Sequence, residues 1–461
     1  MTKQETVIQY ITDNYLNFNT LRHDVVSDKL QIRMEKPTPN PSLKGGEYGA
    51  EQKSFPLGED LGEATVWREM TKHDINSIVC HCAQEYNANI TSREVMTALQ
   101  SDLIPDVHPL REYILSLHPY TSDQPDWIDL VASQVRIADS ASDDEKGSNG
   151  SKSSKGESAV ETYRTYRTPS TKADALWRAC FKKWFVAMVA SWMKDEVVNH
   201  QVLVLIGKQG IYKTTWLEHL IPPHLRAYAC KLANSNDLNK DERLRIAEFG
   251  LISLDEIDSM NNRELNQLNS VITATDINER AAYAYTKERR MRLASFCASG
   301  NRRDFLTDIT GNRRWLPFEV ESIQNPFYTT LPYDLIYAQA WTLAQDPTFS
   351  YWFELDEIDL LEQHNQHFRD ESNEEQLLDV YFAVPSEGAS NTKFLTTAEI
   401  SERLIYYGNI KRPLSLSRLG VLLSQKGFLS IRKGSPQRRG WVVYERDNEE
   451  INAERRILSK T

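Results

Sequence analysis

The feature that most limits what this chain can fold into is residues 202–215, VLVLIGKQGIYKTT, an unbroken apolar run that ends in a glycine-containing turn and Lys-Thr-Thr. Five consecutive aliphatic residues suit a strand buried on both faces, as in a parallel sheet covered by helices. The turn that follows reads as a phosphate loop opening a helix. Gly207 and Gly210, with Gln209 between them, let backbone N–H groups curl toward an anion. Lys213 can reach terminal phosphates, Thr214 can offer a hydroxyl to Mg²⁺, and Thr215 continues a helix whose positive end favours phosphate. One position departs from the pattern G-x-x-x-x-G-K-[ST]: Tyr212 stands where the second glycine would be. Alone, such a loop fits either an NTP site or an ordinary strand-to-helix turn.

Three later segments bear on that choice. Asp255 lies 42 residues beyond Lys213, in FGLISLDEID, where an apolar strand ends in adjacent carboxylates. At a strand end Asp255 suits Mg²⁺, and Glu256 suits the polarising of an attacking water, while the plainer reading is a strand meeting a solvated helix start. A third apolar strand, LASFCAS at 293–299, runs into Gly300 and Asn301. Asn301 is placed to sense a γ-phosphate, or simply to form a Gly-Asn turn. Then comes DITGNRRWLP, in which Arg313 and Arg314 follow another Gly-Asn pair. Their planar, permanently charged forks suit a neighbouring subunit's γ-phosphate, or a solvated surface.

The order GKQGIYKTT, LDEID, SGN, TGNRRW resembles the virulence-associated protein E family, phage and mobile-element proteins similar to superfamily 3 helicases and to the helicase half of poxvirus-type primase-helicases. NYLNFNTLRHDVV, near the start, also looks like that family's lead-in. The resemblance implies an additional-strand P-loop core, a homo-oligomeric ring that is usually hexameric, and ATP- and Mg²⁺-driven translocation on DNA in replication of a mobile element. By motif it makes Lys213 and Thr214 the phosphate and metal residues, Asp255 and Glu256 the metal and water residues, Asn301 the sensor, and Arg313 or Arg314 the finger. It also places a DNA-gripping hairpin between the carboxylate strand and Asn301. There, NERAAYAYTKERRMR interleaves Arg280, Lys287, Arg289, Arg290 and Arg292 with Tyr283 and Tyr285, which reads as a phosphate track with stacking surfaces or as a solvated charged helix.

The resulting expectation is an α/β chain, with an AAA+-like P-loop NTPase core over residues 171–330. Residues 1–136 form an N-terminal region with a helical domain, interrupted by a Pro/Gly/Ser-rich inserted loop at 34–66, and a capping box at Thr91 and Glu94 opens one of its helices. Residues 137–170, nearly free of apolar side chains, read as a disordered linker. In the helix that follows, Leu176, Trp184, Met188 and Trp192 recur at helical spacing and read as core rather than as a base-stacking platform. Cys80, His81 and Cys82 splay around a helix without further ligands nearby and read as core or surface.

A helical connector (331–390) leads to a winged helix (391–448) and a tail (449–461). In the winged segment Thr396 and Glu399 form a capping box, Ser415 caps a second helix, Gly427 ends it, and two strands flank GSPQRRG. Between Lys411 and Arg446 nine Lys or Arg face one acid, Glu445, in a chain whose net charge is −11. That local reversal of sign reads as a duplex-DNA footprint, with Arg418, Arg438 and Arg439 as contacts, or as a surface for protein contacts. The acidic balance excludes a wholly basic nucleic-acid coat. No apolar run approaches a membrane span, and five scattered cysteines fit reduced thiols in a cytoplasm. With no primase site legible in the first 170 residues, a separate primase or polymerase is the expected partner. The rivals are an ATP-dependent DNA-binding switch that does not unwind, and a replication initiator whose NTP site is vestigial because of Tyr212.

Overall fold

The structure, a computed structural model, describes residues 2–34, 66–138, 171–232, 246–279, 288–306, 312–369, 373–386, 392–408, 415–433 and 437–458. Most of the expected inserted loop and linker lie outside these residues. The chain forms two compact units: Met1–Asn301 with Leu316–Leu355, and Arg302–Trp315 with Asp356–Thr461.

The first unit opens with α1 (Lys3–Asn14), β1 (Leu21–Asp24), β2 (Lys29–Met34), β3 (Val66–Glu69), α2 (Lys72–Tyr86), α3 (Ser92–Leu99), β4 (Asp106–Val107) and α4 (Pro109–Ser116). Capping boxes open three of these helices, at Thr2 with Glu5, Thr71 with Asp74, and Thr91 with Glu94; each side chain satisfies a backbone N–H that the first turn leaves without a partner. β1 to β4 make a four-stranded sheet in the order β3-β2-β1-β4. β3 has only four residues and pairs with β2 across the 35–65 segment, so no local alternation announces it. Apolar side chains including Val7, Ile11, Ile78, Cys82, Val95 and Leu99 form the core of this part.

After α5 (Trp127–Ala132) and β5 (Val135–Ile137) comes α6 (Lys172–Met193), whose Trp177, Trp184 and Trp192 are completely buried. The tryptophans serve as core, as the spacing predicts, and their N–H groups donate to the carbonyls of Ala132, Phe296 and Gly250. The central sheet contains β6 (Val202–Ile206), β7 (Ala229–Leu232), β8 (Leu251–Leu254), β11 (Ser295–Gly300) and β12 (Trp315–Ile323). Its order is β5-β12-β6-β11-β8-β7. β6, β11, β8 and β7 run parallel, with Gly300 opposite Ile206 and Ala298 opposite Leu254; β5 lies antiparallel to β12. All five residues of β6 and all four of β8 are buried, as covered parallel strands require.

Between β6 and β7 lies α7 (Lys213–Glu218); between β8 and β11 lie α8 (Asn262–Thr273), β9 (Asp276–Glu279) and β10 (Glu288–Met291), the last two an antiparallel pair. α9 (Tyr333–Gln345) follows β12, and Tyr337 on it is buried and donates to the Leu220 carbonyl.

The second unit holds α10 (Leu355–Asn365) from Asp356 onward, α11 (Asn373–Tyr381), β13 (Phe382–Ala383), β14 (Thr392–Leu395), α12 (Thr397–Gly408), α13 (Leu416–Gln425), β15 (Leu429–Lys433), β16 (Arg438–Glu445) and α14 (Asn448–Leu458). β16 pairs antiparallel with β13, β14 and β15. Leu404, Leu419, Leu423, Trp441 and Val443 fill the space between the helices and the sheet. Glu375 is buried and paired with Arg369 at 2.9 Å. The tail forms α14, in which Arg455 donates to the Tyr381 hydroxyl.

Candidate nucleotide site

At the C-terminal end of β6 the chain turns through residues 207–212 into α7. A Cβ on Gly207 would stand 2.7 Å from the Val320 carbonyl oxygen on neighbouring β12, so only glycine fits that approach. Gly210 has φ +84, where side chains are strained, while Gln209 is exposed. Tyr212 takes φ 68 as well, the left-handed conformation a glycine would adopt here, and its carbonyl accepts the Trp216 N–H that starts the helix. Holding a tyrosine there costs about 1 kcal/mol. α7 itself is short; it ends at Glu218 and carries Thr215 in its first turn.

Because β6, β11 and β8 are adjacent and parallel, their C-terminal ends bring the motif residues together. The Thr214 hydroxyl lies 3.2 Å from Asp255 Oδ1 and 2.9 Å from the Ser299 hydroxyl, and Ser299 donates to the same carboxylate oxygen at 2.7 Å. Lys213 Nζ donates to the carbonyls of Gly207 and Lys208 at 2.7 and 2.8 Å, and to Asn301 Oδ1 at 3.3 Å. Asn301 is held in turn by its N–H donating to Asp258 Oδ1 at 3.1 Å. Burial lowers the Lys213 pKa, opposed by the fields of Asp258 and Asp255. Burial alone would raise the Asp255 pKa; hydrogen bonds from Lys231, Ser299 and Thr214 outweigh it and hold the carboxyl below its ordinary value. Glu256, next in the chain, is exposed with φ 53, a second non-glycine residue in the left-handed region at this strand end.

Two members of this group are absent from the sequence reading. Ser299 was visible as the polar tip of LASFCAS, but only the register of β11 against β8 sets it beside Asp255. Lys231, on β7, places Nζ 2.7 Å from Asp255 Oδ2, a contact that depends on β7 lying next to β8.

Arg313 and Arg314 sit in a 3-10 turn, Asn312–Arg314, in the second unit, with Arg313 exposed. Of the basic segment before β11, Arg280, Lys287 and both tyrosines lie outside the described residues. Arg289 lies on β10. Arg290 is already engaged: its guanidinium lies 2.6 Å from Asp28 and 3.8 Å from Glu248, which ties the base of the β9–β10 hairpin to the N-terminal sheet instead of leaving an open DNA contact. Arg292 is a clear correction to the basic track. It is buried and donates to the carbonyls of Val271, Ile272 and Ala274 at the end of α8 and to those of Asn199 and Ala294. Carbonyls at a helix C-terminus lack partners within the helix, and the forked guanidinium supplies several at once. Burial pushes its pKa down to about 9.

In the second unit the basic stretch divides. Lys411 and Arg412 lie outside the described residues. Lys426 pairs with Asp379, and Arg446 with Glu454. Arg418 is half-buried on α13. Arg432, Lys433, Arg438 and Arg439 remain exposed on the β15–β16 hairpin, with Arg432 opposite Arg439 and Lys433 opposite Arg438. Like charges directly across a ladder are destabilising. The one acid of the stretch does not relieve them: Glu445 is held by Lys393, Arg403 and Tyr407, and these contacts overcome burial to keep its carboxyl down at about 2.

The parallel strand order and the convergence of lysine, hydroxyl and carboxylate at the strand ends define an α/β core consistent with a P-loop NTPase. Residues 152–370 match the model of the Virulence-associated protein E-like domain, so the chain carries a VapE-like domain. No curated protein is matched. Among solved structures, the chain is similar to the apo structure of the NrS-1 C terminal region, with 10% identity, 96% of this chain and 100% of that chain covered, and a TM-score of 0.44. The A form apo structure of the same region gives 9% identity, coverage of 95% and 99%, and a TM-score of 0.44. Among the described residues, no helix is long and apolar enough to cross a membrane.

Proposed function

We propose that this chain is an ATP-dependent DNA helicase or translocase acting in replication of a phage or mobile genetic element. The observation that carries the reading is the meeting of Lys213, Thr214, Asp255, Ser299 and Asn301 at the ends of three adjacent parallel strands. β11 lies between the loop strand β6 and the carboxylate strand β8, the insertion expected of an additional-strand, AAA+-like core. Thr214 and Asp255 offer hard oxygen donors within 3.2 Å of one another, a pair suited to Mg²⁺. The ion, when bound with ATP, neutralises charge developing on the phosphoryl oxygens.

Each side chain then has a role. Lys213 exchanges its loop carbonyls for phosphate oxygens. Gly207, Gln209 and Gly210 present backbone to the phosphates, and Thr215 continues the turn. Glu256 takes the proton of the attacking water, and Asn301, held by Asp258, orients that water. Arg313 or Arg314 reaches a neighbouring subunit's γ-phosphate, which requires a ring, with six copies the natural number for this class. Residues 171–330 act as the NTPase domain and 331–390 as connector. Residues 391–448 act as a winged helix, with α12 and α13 as its helices and β15–β16 as the wing. Arg280, Lys287 and Arg289 grip single-stranded DNA; Arg418, Arg438 and Arg439 grip duplex. A separate primase or polymerase supplies priming.

ATP hydrolysis measured with and without single-stranded DNA, together with separation of a forked duplex, tests this. Stimulated hydrolysis with strand separation is expected, and Lys213→Ala abolishes turnover while leaving duplex binding intact. A DNA-binding switch is the second reading, favoured by Lys231 on Asp255 and by the tyrosine in the phosphate loop; it predicts hydrolysis without separation. A protein that binds duplex and never hydrolyses ATP would be an initiator with a vestigial site.

A further inference from the structure

Tyr212 is the residue that makes the phosphate loop irregular, and its surroundings give it a use. The side chain reaches the segment after β12. There Asn325 Nδ2 donates to the Tyr212 hydroxyl at 3.3 Å, and the rings of Tyr212 and Phe327 lie 6.5 Å apart at 81°. Asn325 also accepts the Phe327 N–H at 3.0 Å, so one amide fixes both aromatic residues. Phe327 also meets the His219 ring at 5.6 Å and 86°. The rings meet near right angles and both stay accessible: Phe327 is 63% exposed and Tyr212 38%. An aromatic shelf thus adjoins the loop, one residue from the lysine proposed to hold the terminal phosphates.

We infer that Tyr212 and Phe327 form the base-recognition subsite of the nucleotide site, stacking a purine, with Asn325 as the positioning residue that joins them. The inference rests on the ATPase reading and deepens it. A triphosphate seated at Lys213 projects its ribose and base outward from the loop, and the adjoining surface offers two planar rings held by a polar link. Every base has a π-face, so stacking gives affinity without a hydrogen-bond code, and a purine offers more area than a pyrimidine. The strain of a left-handed tyrosine is then offset when the site is filled. A glycine at position 212 would relieve the strain and lose the ring.

The test is calorimetric titration of the full chain, in Mg²⁺, with ATP, CTP and inorganic tripolyphosphate. The wild type binds ATP about tenfold or more tighter than tripolyphosphate, the scale of one base stacked on one aromatic residue, with CTP between. Phe327→Leu keeps apolar bulk and removes the π-face: ATP weakens about tenfold, tripolyphosphate is unchanged, and the ATP-to-CTP preference collapses. Tyr212→Gly loses the preference in the same way. The inference is overturned if the wild type does not separate ATP from tripolyphosphate, or if Tyr212→Gly binds ATP more tightly with its preference intact. A change in oligomeric state for Phe327→Leu with the ATP-to-CTP ratio intact would also overturn it and assign the shelf to a second copy of the chain. If neither ATP nor tripolyphosphate binds at all, the ATPase reading itself falls and the shelf with it.

Discussion

Ser299→Ala removes a single oxygen from the middle of the site and should be felt in both stability and chemistry. Ser299 is buried, and its hydroxyl donates to Asp255 at 2.7 Å while contacting Thr214 at 2.9 Å. A hydrogen bond to a charged group contributes about 1.5–3 kcal/mol. Asp255 keeps Lys231 and Thr214 in the variant, so the lower part of that range, about 1.5–2 kcal/mol, is expected. For a core of this size that is a fall of about 3–8 °C in its thermal midpoint. The pH dependence follows from the depressed Asp255 pKa. A carboxyl lowered by folding contributes stability that is fully present above its unfolded value of about 3.9 and is lost as pH falls through the folded value. The gap between wild type and variant should therefore be full near neutrality and shrink as the solution becomes more acid than about pH 4, closing once the pH passes below the depressed folded value. Hydrolysis should fall as well, because Thr214 and Asp255 lose the hydroxyl that bridges them. Thermal unfolding followed across pH, with steady-state ATPase rates, reads both. An unchanged midpoint at neutral pH, or a gap that persists undiminished in acid, would refute the assignment of Ser299 as a prop of the Asp255 carboxylate.

Arg292→Met should destabilise the first unit by about 3–5 kcal/mol, because it strands several buried carbonyls around the end of α8; chemical denaturation measures it, and a loss under 1 kcal/mol would show that water replaces the guanidinium. Lys231→Met removes the ammonium from Asp255 and should tighten Mg²⁺-dependent nucleotide binding a few-fold, read from Mn²⁺ spin resonance as well as from nucleotide titration; weaker binding would mean that the lysine helps hold phosphate. Replacing Arg438 and Arg439 together with Gln should lower duplex affinity and reduce the salt slope by about two, measured by fluorescence anisotropy at several salt concentrations, while thermal stability stays level or rises as cross-strand repulsion is relieved.

How far the sequence could be read depended on the range of the interaction. Features set by neighbouring residues were legible: the apolar runs that became β6, β8 and β11, the Thr91–Glu94 and Thr396–Glu399 boxes, and the cap at Ser415. The helix spacing of Trp184 and Trp192 likewise marked core. Such features arise from chain stiffness, pleat and cap chemistry, which act within a few residues. What the fold decided was which of those local pieces meet. The spelling RRMR does not separate Arg290, drawn to Asp28 more than two hundred residues away, from Arg292, swallowed by the end of α8. Nothing in ACKL announces a lysine on Asp255, and nothing in QNPFYT announces a ring beside Tyr212. The order of the Lys213, Thr214 and Asp255 motifs pointed to a nucleotide site by residue type and spacing. Ser299, Lys231 and Phe327 joined that group of residues only because parallel pairing and the return of the chain after β12 bring distant segments within hydrogen-bonding and ring-contact distance, where polar and aromatic forces act.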